Sequence, residues 1–149
     1  VRPDDGCGVS NVRVKLELDK RFHESGYCAS PVNWFAFEVE KEMFSAGDKA
    51  WPENRPPLEK RWVVHKVLKR LRHALAHSNI HFGGEEEISH VYFGSWLSRT
   101  CKDRFQVFGC GINDLRHLSC SWIENLARLD QTRPVIAKVL AMRPNSWRT

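Results

Sequence analysis

Between Lys60 and Gly84 the chain contains no aspartate or glutamate, although it carries 18 acidic residues in all. Cations in that stretch are not neutralised by near neighbours in sequence, so they stay available to an outside anion. No apolar run approaches the roughly 18 residues that a membrane-spanning helix needs. No basic stretch is followed by an apolar segment either, so no signal peptide and no membrane partner are expected. The five cysteines, Cys7, Cys28, Cys101, Cys110 and Cys120, include no Cys-x-x-Cys pair. An odd, scattered set of thiols reads as reduced and unbridged, which points to the cytoplasm. Internal repeats and low-complexity runs are also missing.

What is present is an ordinary globular composition: 149 residues, 42% hydrophobic and 28% charged, with a mean hydropathy of −0.48. That length suits one domain with a real core. We expect a single domain over residues 1–149, with 1–8 and 143–149 as flexible ends. The net charge of +5 and a pI near 9.1 favour anionic partners, and RNA fits better than a membrane. Six Trp and eight Phe are expected to fill the core or a dimer interface, with base stacking as the sharper alternative.

Val12, Val14, Leu16 and Leu18 alternate with charged residues, which favours a strand, whereas Val9, Val12 and Leu16 also fit one helical face. The helix is preferred here. Ser30-Pro31 starts a further helix that ends near Gly47, with Phe35, Val39 and Met43 on one side and Trp34, Phe37 and Phe44 on another. The proline-rich stretch from Ala50 to Pro57 is a connecting loop. Beyond Gly83-Gly84, Ile88–Trp96 and Arg104–Cys110 read as two short strands around a turn. Asn113 caps another amphipathic helix bearing Leu115, Leu118, Trp122, Leu126 and Leu129, and a last short helix runs from Thr132 to about Met142.

The segment that points most directly at chemistry is L-R-H-A-L-A-H-S-N-I, residues 71–80. It closes an amphipathic helix expected from about Leu58 to His77, whose stripe is Val64, Val67, Leu68, Leu71 and Leu75. At roughly 100° per residue, Lys66, Lys69, Arg70, His73 and His77 fall on the opposite face, with Arg61, His65 and Arg72 along one flank. Arg72 and His77 point roughly 140° apart on an ideal helix. They meet over one substrate only if the helix end frays or a two-fold partner supplies the second group.

With Arg72, His73 and His77 forming an Arg-x-x-x-x-His run inside L-R-H-A-L-A-H-S-N-I, the chain resembles the HEPN family of helical nucleases and nucleotide-associated modules. The resemblance covers about Leu58 to Ile80, with looser agreement in helical organisation through Leu129. It implies a mostly α, HEPN-like helical bundle with a short β-hairpin after the motif helix. It further implies a metal-independent endoribonuclease acting as a homodimer, with no cofactor and a composite Arg/His site. Arg72 would stabilise charge on the phosphate, His77 would serve as acid and base, and His73 would assist. Lys66, Lys69, Arg70 and Asn79 would bind RNA, and a cognate antitoxin or regulatory protein is the further partner implied. The family's residue after the arginine is often Asn or Asp, where this chain has His73.

Two rival readings stay open. His73, His77 and His81 recur every four residues, a spacing able to share a transition metal. Gly83-Gly84 ends the helix near His81, no His-Glu-x-x-His acid is present, and the cations nearby repel a divalent ion, so no metal is expected. The other alternative is a HEPN-like scaffold without catalysis that dimerises or binds a partner or nucleotide. An Arg and a His near a helix C-terminus are also what the helix dipole favours.

Overall fold

Phe35-Ala36-Phe37-Glu38-Val39-Glu40 alternates large apolar with small or charged residues, and in the computed structural model it forms strand β1 (Phe35–Glu40). The model describes residues 11–100, 103–129 and 141. The remaining elements are a short helix α1 (Lys41–Ala46), α2 (Val64–Ala76), β2 (Ile80–Gly83), β3 (His90–Trp96), β4 (Arg104–Gly111) and α3 (Ile112–Ala127). The four strands make one antiparallel sheet in the order β1-β4-β3-β2. This sheet overturns the expected mostly α, HEPN-like bundle. The hairpin read from the sequence is real, but it is the centre of a sheet rather than an appendage to helices.

Several boundaries change for identifiable reasons. The helix expected between Ser30 and Gly47 is three pieces: a 3-10 turn at Pro31–Asn33, then β1, then α1. Phe35, Phe37 and Val39, drawn from both apolar sides of the expected helix, share one face of the strand and one core, while Ala36 packs against the core on the other face. The motif helix starts at Val64, not Leu58, because residues 58–63 are held in extended and turn conformations by neighbouring backbone. Leu58 N–H donates to Trp34 C=O at 3.0 Å and Phe22 N–H to Trp62 C=O at 2.8 Å. The helix start is then capped by main chain: Val64 N–H donates to Lys20 C=O and His65 N–H to Leu18 C=O, both at 2.9 Å. Gly111, not Asn113, is the N-cap of α3, and Asn113 is exposed in its first turn. Residues 11–15 are helical, as preferred. Ala50–Pro57 is a loop apart from the end of a 3-10 turn at Asp48–Ala50. The ends 1–8 and 143–149, and most of the helix expected at 132–142, lie outside the described residues.

The sheet has a core on each face. On one, Val91, Phe93, Phe108 and Cys110 meet Val64, Val67, Leu71 and Ala74 of α2, Leu118 of α3, and Phe22, Tyr27, Trp34, Leu58 and Trp62 from the loops. Each of the larger side chains buried here contributes about 1.5–3 kcal/mol relative to exposure. Leu75, expected in the stripe, is 59% exposed, so the buried face ends at Ala74. On the other face Phe37, Val39, Tyr92, Phe105 and Val107 meet Phe44 of α1 and Trp51. Arg55 ties the proline loop down there, its guanidinium lying 5.3–5.8 Å from the Tyr92, Trp51 and Phe37 rings and donating to Tyr92 Oη at 2.7 Å. Trp34, Trp51 and Trp62 are therefore core residues. Cys28 and Cys110 are free thiols, and burial pushes the Cys28 thiol up to about 11.

The Ala-His-Ser-Asn run at the end of α2 is a Schellman cap. Ser78 N–H donates to Leu75 C=O at 3.2 Å, Asn79 N–H donates to Ala74 C=O at 2.8 Å, and Ser78 sits at φ +57°. A side chain with a Cβ is strained in that left-handed region. Ser78→Gly should therefore stabilise the fold by about 0.5–1 kcal/mol, read as a higher urea midpoint at unchanged slope. A second stability effect depends on pH. His23 Nε2 is buried with no hydrogen-bond partner among the described residues, and burial, then Lys60, hold its pKa below the ordinary histidine value. The folded state binds this proton less readily than the unfolded chain, so its contribution is complete above about pH 6.5 and is lost as pH falls through the folded value. The neutral variant His23→Gln should show a smaller drop in urea midpoint between about pH 7 and pH 5 than the parent.

Candidate functional site

Because Val64, Val67, Leu71 and Ala74 are buried against the sheet, the rotation of α2 is set, and with it the direction of every charged residue on the helix. With Lys66 at zero and roughly 100° per residue, Arg70, His73 and His77 fall within about 40° of it and Lys69 within about 60°. These residues form one cationic stripe along the helix. Arg72 lies roughly 120° away on another, exposed side.

The stripe borders a cleft of about 640 Å³ between α2 and the far end of the β3–β4 hairpin. Lys66, Lys69, Arg70 and His73 line it from the helix, and Trp96, Leu97, Ser98 and Arg99 from the hairpin. No carboxylate is among these lining residues. Three of the four residues expected to bind RNA, Lys66, Lys69 and Arg70, are thus brought together. Arg99 was missed because a lone arginine in a turn carries no pattern of its own. Only the fold of the hairpin shows that it faces the helix.

The cleft pays an electrostatic cost for this arrangement. Burial, then Arg61 and Arg70, lower the Lys66 pKa below the ordinary lysine value, while burial alone lowers that of Arg70. Half-buried cations that repel one another gain from any anion that binds between them. Lys66 is held in place by the Trp62 ring, its Nζ lying 4.2 Å from the ring centroid. The Trp96 ring points to the opposite face of the sheet, where it packs edge-on against Phe105 at 4.7 Å with Lys41 Nζ 5.0 Å above it.

The other expected site residues divide. His73 and His77 are exposed neighbours with ring centroids 5.2 Å apart, His73 at the cleft and His77 one turn beyond as the helix C-cap. Asn79 is not at the cleft: its N–H caps the helix and its C=O accepts from Gly94 N–H at 2.9 Å, which starts β2. The rival metal triad is broken up. His81 stands on β2 against Trp51 at 5.1 Å, with its Nε2 3.3 Å from Asp48 Oδ1. Among the described residues no group of three or more His, Cys, Asp or Glu is placed to hold a metal ion, and no helix is long and apolar enough to cross a membrane. Glu85, Glu86 and Glu87 form an exposed turn between β2 and β3, away from the cleft lining.

Within one chain, then, the structure joins His73 to Lys66, Lys69 and Arg70 and separates Arg72 from them. No protein family, curated protein or solved structure matches the chain, so the site is read from its own geometry.

An anion that binds the native cleft and not the unfolded chain must stabilise the fold. Inorganic phosphate should raise the melting midpoint relative to chloride at equal ionic strength, and Lys69→Glu, at the exposed lip, should remove that rise. An equal rise in both proteins, measured by calorimetry, would assign the effect to general salt action rather than to the cleft.

Proposed function

We propose that this protein binds RNA through its phosphate backbone, along the α2 stripe and into the cleft beside it. The observation that carries this reading is the cationic lining of Lys66, Lys69, Arg70 and Arg99, in which no carboxylate is found among the described residues and two of the cations are half-buried. Contacts of this kind fix a polymer by charge and carry little sequence information. In this reading the protein works in the cytoplasm with its thiols reduced, in keeping with free Cys28 and Cys110.

A second reading is favoured by the His73–His77 pair at the end of the stripe. Two imidazoles beside a bound phosphodiester could give and take the protons of metal-independent cleavage, with Arg72 supplied across a two-fold homodimer. Binding is the primary reading, because within one chain Arg72 does not share the stripe.

Four cationic side chains on single-stranded RNA predict a log–log salt slope of about −3, at about −0.7 for each phosphate neutralised. Lys69→Ala or Arg99→Ala should each reduce its magnitude by about 0.7, as read by fluorescence anisotropy across a salt series. Affinity independent of salt would sink the phosphate reading. Cleavage of the same RNA in EDTA, lost in both His77→Ala and Arg72→Ala, would promote the second reading over the first.

A further inference from the structure

Arg70 differs from the other cations of the cleft in being anchored. Its Nη1 donates to Ser95 Oγ at 2.9 Å and to Trp96 C=O at 2.9 Å, so both Nη1 hydrogens are used within the protein. The Ser95 anchor is itself only 2% exposed, on β3 just past the residues that pair with β2. Guanidinium is a planar fork of five N–H donors, and fixing one nitrogen fixes the plane and direction of the rest. The Nε and Nη2 hydrogens have no protein acceptor among the described residues, and no carboxylate there forms an ion pair with Arg70. Burial has nonetheless removed part of its water. A half-buried guanidinium aligned by two hydrogen bonds, without a counter-ion, beside a carboxylate-free cleft, is an oriented anion receptor.

We propose that Arg70 takes one phosphate group bidentately through Nε and Nη2, and that Ser95 is its positioning residue. Two parallel N–H donors match two oxygens of a phosphate, a geometry that the ammonium groups of Lys66 and Lys69 do not offer. The stripe thus contains one fixed point of attachment among flexible point charges, and that point sets where along the helix a phosphate is seated. This assignment rests on the phosphate reading of the cleft. The phosphate is either an internal diester of a chain or a terminal monoester, and both present the oxygen pair that the fork requires.

The test uses the whole chain and two labelled oligouridines, one ending in a 5′-hydroxyl and one in a 5′-phosphate, with inorganic phosphate as competitor. Arg70→Lys keeps the charge and loses the fork, so affinity should fall about tenfold while the salt slope stays that of the parent. Ser95→Ala leaves every charge in place and should weaken binding in the same direction, about threefold, again at unchanged slope. Lys69→Ala should do the reverse and change the slope. Equal losses on both oligomers assign the fork to an internal diester, and a larger loss on the 5′-phosphorylated one assigns it to a monoester. If Arg70→Lys and Ser95→Ala bind like the parent while Lys69→Ala is weakened, the fork is overturned and the cleft reading stands. If the parent binds neither oligomer nor inorganic phosphate, both fall together. Should Arg70→Lys fail to fold by circular dichroism, Ser95→Ala decides, since it removes only a hydroxyl.

Discussion

The arrangement of this molecule depends on one packing contact, the burial of the α2 stripe Val64, Val67, Leu71 and Ala74 against Val91, Phe93 and Phe108 of the sheet. That contact is non-directional in its physics and directional in its result. A helix has one rotation that buries these four positions, and that rotation decides where its cations point. Arg70 is carried to the edge of the sheet, where Ser95 and Trp96 can hold it, while Arg72 is turned to another side. The cleft is thus a by-product of core packing: its charges are placed by the apolar residues behind them.

The second face of the sheet serves a different end. Phe44, Trp51 and Arg55 close it with short, irregular segments that no amphipathic period would announce. Aromatic rings supply most of this core, and Arg55 lies close to three of them while bonding to Tyr92 Oη. The aromatic richness of the chain is spent mainly on two cores rather than on a binding surface.

Electrostatics and folding pull in opposite directions around α2. Lys66 and Arg70 lose solvation and repel each other, and nothing in the lining of the cleft neutralises them. Cation–π contact with Trp62 and hydrogen bonds to Ser95 and Trp96 offset part of that cost. In the proposed reading, an anion bound between these cations would offset part of their repulsion.

The sequence alone was enough to find α2, its cationic face and the β3–β4 hairpin, because period 3.6, period 2 and the missing acids between Lys60 and Gly84 are local properties. It misled over Phe35–Glu40, whose Phe35, Phe37 and Val39 can be placed on two sides of a buried helix as well as on one face of a strand. It misled again over Leu58–Val63, whose backbone bonds to segments distant in sequence. The run Ala-His-Ser-Asn has a structural cause in the cap at Ser78 and Asn79, which is sufficient to explain it without chemistry. Local order determined which residues are basic and on which helix they stand. Only the tertiary structure decided that the hairpin turn bearing Arg99 lies across from them and that Ser95 anchors Arg70. Those contacts join residues some 25 or more positions apart, and no periodicity along a chain encodes a distance of that kind.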